Sequence, residues 1–392
     1  MSTNSAVASE RALERVVGWI ELLADGVGPR RPTSATERVA AQLLRAELRQ
    51  AGVNAELESF DAYSTFGLPY GLMLGAAAAA SLYPRRVART LLAGVATGAL
   101  AAEGGLVHTP LSNLLSTGES QNLVATIEPR ETARRTLCLM GHLDSSRSGL
   151  MFHPSLGRLP DKLRPLLGLA APTAMLASLG GRSRAVRAAR LTSGAILASA
   201  VVLILERELR GVDVPGASDN ASGSAVASQL AAESAAEPLD ATRVVLLLTG
   251  CEESGLLGAQ AFLRGHDTSD WLFLNFDSVG GPATIRYLLR EGIVRRWPAD
   301  RKLVELAEGL ARRRPELGLE PAESAAGLTY DVTAVLARGG RGLSISAQDA
   351  TIPYYHTPQD TVGNIEPEVL ARVLDVGREM IAAIDRGEAD RA

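Results

Sequence analysis

One pattern constrains this chain more than any other: a short apolar run that recurs and each time ends in a chemically active residue. Residues 244–248 are Val-Val-Leu-Leu-Leu, and they lead through Thr249-Gly250-Cys251 to Glu252 and Glu253. An uninterrupted apolar run of that length, closed by Thr-Gly, predicts a strand buried on both faces of a parallel sheet. Residues 136–144, TLCLMGHLD, repeat the plan and end in His142 and Asp144; residues 271–277, WLFLNFD, end in Asp277. Open α/β sheets gather their chemistry at the carboxyl ends of their strands, so these groups are expected at one edge. Two loops add to them. Residues 216–223, GASDNASG, carry Asp219 and open an Ala-rich helix, and residues 354–361, YYHTPQDT, carry His356. Glu252 and Glu253 are neighbours whose side chains point different ways, which lets one bind a metal while the other moves a proton. Acids at such a turn also serve as ordinary helix starters; the accompanying His and Asp residues favour the metal. Mixed imidazole and carboxylate donors suit zinc.

The 392 residues exceed what one ordinary core fills. Charged residues are 21% of the chain and the net charge is −4, with no basic patch interleaved with aromatics, which excludes a nucleic-acid surface. Cys138 and Cys251 fall in or just after expected strands and read as small buried hydrophobes, not a disulfide. The N-terminal residues lack the basic-then-apolar pattern of a signal peptide.

In chain order, periodicity predicts an amphipathic helix over 9–24 and a helix opened by a Ser34-x-x-Glu37 capping box and ended at Gly52. Strands follow over 53–60 and 121–127. Beyond Asp219 come helices over 221–236 and 256–264, an edge strand at 284–289, and a helix over 301–313 stopped by Pro315. A short helix at 330–337, a strand at 343–346 and a closing helix over 367–384 complete the chain. The pattern is α/β, a single domain over 1–392 with a mixed, mostly parallel sheet flanked by helices. Two inserted segments, 66–106 and 163–205, differ from the rest. Each has an apolar arm, an arginine-rich bend (Arg85, Arg86, Arg89; Arg182, Arg184, Arg187, Arg190) and a second apolar arm. They are expected to form two helical hairpins with arms 66–83, 90–102, 165–181 and 191–205. The first and third arms reach the ~17-residue lower limit for spanning a bilayer, and the other two need flanking residues. The chain is therefore expected to be membrane-associated through these hairpins; a soluble lid or dimerisation arm on a cytoplasmic protein is the competing expectation.

The five motifs and their order resemble the co-catalytic di-zinc aminopeptidases of the bacterial leucyl-aminopeptidase and aminopeptidase-Y type, over roughly 121–144 and 216 to the C-terminus. The resemblance implies the zinc-exopeptidase fold, two Zn²⁺ per chain and a peptide substrate with a free N-terminus. It implies that His142 and Asp277 bind one zinc, that Glu253 and His356 bind the second, and that Asp219 bridges them. Glu252 becomes the general base acting on a zinc-activated water, and Asp144 orients the His142 ring. It also implies a cis peptide after Asp219. The chemistry agrees with these roles: a His ligand needs its other ring nitrogen held, and two close Zn²⁺ need a shared carboxylate. His108, His153 and His266 match nothing in the motif set. The chain departs from compact members in the long apolar insertion between His142 and Asp219. A glutaminyl cyclase on the same scaffold, or a non-catalytic receptor-like member, are the alternatives; the complete ligand set and the base weigh against the second.

Overall fold

A computed structural model describes residues 3–107, 109–153, 164–180, 183–293, 295–324 and 328–390. The expectations at His108, Leu163, Gly181 and Arg182 lie outside the described residues. The chain divides into two compact units: Met1–Ser64, Thr117–Ser146 and Asp213–Ala392 form one, Thr65–Ser116 and Arg147–Val212 the other.

The first unit is built on a mixed eight-stranded sheet. Its strands are β1 (Ala55–Ala62), β2 (Gly118–Ile127), β3 (Arg135–His142), β4 (Thr242–Thr249), β5 (Leu272–Phe276), β6 (Ile285–Leu288), β7 (Leu319–Ala322) and β8 (Arg341–Ala347). Their order is β1-β2-β4-β3-β5-β8-β6-β7. The four central strands β4, β3, β5 and β8 run parallel, while β1, β2 and β6 introduce antiparallel pairings. The parallel strands are the continuous apolar runs because both their faces are covered. His142 pairs with Thr249 and Met140 with Asn275, so the ends of β3, β4 and β5 lie level. That register brings residues 100 or more apart in sequence to one edge.

Helices α1 (Thr3–Glu21), α2 (Ala35–Gln50), α7 (Gly223–Ala236), α8 (Leu257–Gly265), α9 (Arg301–Arg313), α10 (Asp331–Ala337) and α11 (Pro367–Asp385) surround this sheet. One apolar cluster runs through the unit, from Val16, Ile20 and Leu44 through Leu137, Leu246 and Leu274 to Leu374 and Ile384. Cys138 and Cys251 are buried and free. Two expectations need correction. The segment at 284–289 is not the sheet edge, because β7 pairs outside it; β7 is too short and too polar to show as a strand in the sequence. The capping box is only half made. Ser34 Oγ accepts from Glu37 N–H (3.1 Å), but the Glu37 carboxylate accepts from Thr33 N–H (2.9 Å), not from Ser34.

The second unit contains α3 (Gly67–Leu82), α4 (Arg86–Gly104), α5 (Arg164–Leu179) and α6 (Arg184–Arg210). These four helices share one apolar cluster.

Candidate metal centre

Each arm of the site follows from a local feature of the chain. His142 is the last residue of β3, and Ser224 Oγ at the start of α7 donates to its carbonyl (2.6 Å). Gly141 before it has no side chain because α7 passes too close. A Cβ there would lie 2.8 Å from Ser224 N. Asp219 sits in the turn leading into α7, and the Asp219–Asn220 peptide is cis. Asn220 fastens this turn to the end of β5: its Nδ2 donates to the Phe276 carbonyl (3.0 Å), and its Oδ1 accepts from Ser278 N–H (3.2 Å) and Gly223 N–H (2.9 Å). Three site loops turn through the left-handed region at residues other than glycine: Cys251 (φ 55°) before Glu252, Ser278 (φ 56°) after Asp277, and His356 itself (φ 51°). Such conformations cost about 1 kcal/mol or more each and persist where the surroundings enforce them.

The predicted ligands converge in two buried groups, His142 with Asp219 and Asp277, and Asp219 with Glu253 and His356. Asp219 belongs to both, and it does so with different oxygens. Its Oδ1 lies 3.2 Å from His142 Nε2, and its Oδ2 lies 3.1 Å from His356 Nε2. Asp277 Oδ2 completes the first group at 3.6 Å from His142 Nε2, and Glu253 Oε1 the second at 3.1 Å from His356 Nε2. Asp219 Oδ2 and Glu253 Oε1 are buried and accept no hydrogen bond. Buried carboxylate oxygens left this way are costly unless something positive occupies the space between them. The donors fit a divalent metal of the zinc type.

Asp144 is the organiser of this corner by two routes. The nearest acceptor to His142 Nδ1 is the main-chain carbonyl of Asp144 at 3.1 Å, with its carboxylate at 3.5 Å. That carboxylate accepts from the N–H groups of Glu252 (3.1 Å) and Glu253 (2.9 Å). A single residue thus holds both a histidine ring and the turn bearing the two glutamates. His266 takes no part; it stacks on Phe262 and lies 3.3 Å from Glu58.

The electrostatics reflect a dense, water-poor cluster of acids. Burial raises the Glu252 pKa well above the carboxylate range; His142 opposes the rise, and Glu253, Asp331 and Asp277 add to it. Burial alone would lower the pKa of both histidines, but neighbouring carboxylates outweigh it. His356 is held up at about 9, chiefly by Glu253 and Asp219, and His142 well above its ordinary value by Asp144 and Asp219.

Four residues that support the site escaped the sequence reading. Arg30 is fully buried and donates to the carbonyls of Leu143 (2.8 Å), Leu23 (2.9 Å), Gly28 (3.0 Å), Pro215 (2.7 Å) and Gly216 (2.9 Å). It ties the loop after β3 to the loop bearing Asp219, and its charge faces Asp360, Asp144 and Asp219. Asp360 accepts from Ser218 N–H (2.7 Å) and Asp219 N–H (3.0 Å). Glu37 accepts from Cys251 N–H (2.9 Å) and Ser120 Oγ (3.0 Å) below the glutamate turn. Asp331 accepts from Thr249 Oγ1 at the end of β4. A clue existed for Asp360, four residues beyond His356 in the same turn-rich loop; Glu37 was read only as part of a capping box, and Arg30 and Asp331 carry no local signal.

The candidate ligands open onto a cleft lined by Asp219, Glu252, Asp277 and His356 together with Leu328, Thr329, Tyr330, Ile352 and Tyr355. Tyr355 stacks on the His356 ring at 3.7 Å between centroids.

Known structures share this fold. BSAP, a zinc aminopeptidase from Bacillus subtilis, superposes with a TM-score of 0.58 at 14% identity, covering 95% of each chain. An aminopeptidase from Aneurinibacillus sp. strain AM-1 gives 0.57 at 15%, covering 96% of this chain and 94% of its own. A Tannerella forsythia glutaminyl cyclase gives 0.52 at 14%, covering 94% and 97%. No curated protein sequence matches the chain. The profile of Peptidase family M28 matches residues 200–381. That segment holds four of the five candidate ligands, and the fold around it is shared with zinc aminopeptidases of known structure; the chain resembles peptidase family M28 over this segment.

Proposed function

We propose that the chain is a zinc-dependent aminopeptidase that removes the N-terminal residue of a peptide. In this reading His142, Asp277 and Asp219 would hold one Zn²⁺, and Glu253, His356 and Asp219 would hold a second. The observation that carries it is the division of Asp219 between two histidines, with its Oδ1 at 3.2 Å from one and its Oδ2 at 3.1 Å from the other. Bound zinc supplies Lewis acidity, polarising a carbonyl and easing deprotonation of water. The remaining steps belong to this chain's own side chains. Glu252 lines the cleft beside the ligands and takes the proton of the attacking water. It then delivers that proton to the amide nitrogen of the leaving peptide. Its raised proton affinity suits both halves of this exchange. Asp144 keeps Glu252 in place through its main-chain N–H. The carboxylates favour a substrate α-ammonium group at the mouth of the site, and Leu328, Ile352 and Tyr355 favour an apolar N-terminal side chain.

The experiment is a panel of aminoacyl amides and dipeptides with free and acetylated N-termini. Zinc-dependent release of the first residue from the free peptides alone is expected, with Leu and Met favoured over Asp and Lys. A peptide with N-terminal Gln separates the alternative: ammonia release without peptide cleavage supports glutaminyl cyclisation instead.

A further inference from the structure

The four-helix unit is built inside out for a water-soluble bundle. The cluster at its centre is Ala77, Ala96, Ala170, Ala171, Ala174 and Leu197, five alanines and one leucine. The helices approach closely through these small residues. At Gly194 of α6, a Cβ would meet the Cβ of Ser81 in α3 at 2.6 Å. Met73, Leu197 and Ile204 are buried, but many of the other large apolar side chains point outward. Val87, Leu91 and Val95 of α4 are 74%, 64% and 71% exposed, and their spacing of four puts them on one face. Leu176 of α5 and Val202 and Leu205 of α6 are exposed likewise. In water this arrangement forfeits the burial that stabilises a bundle. In lipid, small residues at helix contacts and large apolar ones outside are the expected distribution.

Length and charge point the same way. Among the described residues, α6 is long and apolar enough to cross a membrane, and only 22% of its most apolar window is buried. No Asp or Glu occurs in 65–102 or 164–205. Six arginines, Arg85, Arg86, Arg89, Arg184, Arg187 and Arg190, gather at one end of the unit, with Arg147, Arg207 and Arg210 near the other end of α6. Arg86 donates to the Leu179 carbonyl, and Thr90 Oγ1 to that of Ser178 (3.1 Å), joining the start of α4 to the end of α5. Arg89 lies within electrostatic reach of Arg190 and Arg86. The start of α4, the end of α5 and the start of α6 therefore lie at one arginine-rich end. The chain enters this unit at Thr65, leaves at Ser116, returns at Arg147 and leaves again at Val212; Thr65 and Val212 are each two residues from the ends of α3 and α6 away from these arginines. The charge-free stretch 191–205 is roughly 22 Å long at 1.5 Å per residue. Arginine side chains reaching outward from its end cover much of the difference from a ~30 Å hydrocarbon core.

We infer that the four-helix unit is embedded in a lipid bilayer, with Arg85, Arg86, Arg89, Arg184, Arg187 and Arg190 seated in a layer of anionic lipid headgroups. This is independent of the zinc reading, since none of these residues belongs to the ligand set.

The test uses the full-length chain. Expressed in bacteria and fractionated without detergent, it is expected to float with membranes in a density gradient and to stay with them through alkaline carbonate. Recovery in the carbonate supernatant as monodisperse protein overturns the proposal. A soluble dimer in that fraction assigns the apolar face to a second copy, and a soluble monomer leaves it without an occupant. The combined Leu91→Asp, Val95→Asp and Val202→Asp variant is expected to lower the floated fraction at least fivefold, with circular dichroism checking that it remains helical. A folded variant that floats as fully as the wild type also overturns the proposal. For the headgroups, detergent-purified protein is diluted into vesicles of phosphatidylcholine alone or with one third phosphatidylglycerol. Flotation is expected to be several-fold greater with phosphatidylglycerol, and this preference is expected to vanish when the six arginines are replaced by Gln. Equal flotation of the wild type with both lipids overturns the arginine assignment.

Discussion

At the scale of single residues, adjacent Glu252 and Glu253 separate two kinds of failure. Glu252→Gln is expected to keep its metal and lose about 10²–10⁴-fold in kcat, the usual effect of removing a general base. Glu253→Ala is expected to lose metal together with activity. Metal analysis beside steady-state kinetics checks both; near wild-type turnover in Glu252→Gln would remove the base assignment. Glu291 offers a test away from the centre. It is fully buried and accepts from Thr333 Oγ1 (2.9 Å). Burial raises its pKa to about 7, with hydrogen bonds from Ser344 and Thr333 opposing the rise. The folded state therefore holds this proton more tightly than the unfolded chain. Its contribution to stability is complete below the ordinary glutamate range and is lost as pH rises through about 7. Between pH 5.5 and 8, Glu291→Gln is expected to lose about 2 kcal/mol less stability than the wild type in urea unfolding. Equal losses would show that Glu291 ionises freely in the fold. What could be read at this scale in advance was the set of groups with a local signature, an acid or histidine after an apolar run or, for Asp219 and His356, within a turn-rich loop. Arg30, Glu37 and Asp331 had no such signature. Their significance comes from burial and from partners such as Leu143, Cys251 and Thr249, 82 or more positions away.

At the scale of elements, the centre depends on how closely α7 can approach the end of β3. Gly141→Ala places a methyl carbon 2.8 Å from Ser224 N and 2.9 Å from the Gly223 carbonyl carbon, and neither backbone atom can step aside alone. A destabilisation of about 1–3 kcal/mol is expected, with weaker metal retention because the turn bearing Asp219 moves with α7. Denaturant unfolding and metal titration measure the two effects, and an unaltered protein would show that the approach is looser than described. The long apolar strands and the amphipathic helices were legible because burial on both faces or on one writes its period into the sequence. The pairing of β7 outside β6 was not, since four residues reading Leu-Glu-Pro-Ala carry no strand period. The union of the four inserted helices was also hidden. Their apolar arms are legible one by one, but an arm rich in Ala and Gly does not specify which other arm it packs against.

At the scale of the whole molecule, metal binding is expected to act on one unit. All five candidate ligands lie in the unit containing the sheet. A metal at 100 times its Kd stabilises the state that binds it by about 2.7 kcal/mol. Chelation is therefore expected to speed hydrogen exchange around 141–144, 216–223, 251–255, 276–279 and 354–360, and to leave 67–104 and 184–210 unchanged. Uniform acceleration across both units would contradict this division. The most direct test of the central claim is the zinc content of the purified full-length chain, loaded with zinc and freed of excess, beside the same measurement on Asp219→Ala. The shared carboxylate predicts two zinc ions per chain in the wild type and fewer than one in the variant. A wild-type content below one, or a content of two that survives the loss of Asp219, would contradict it.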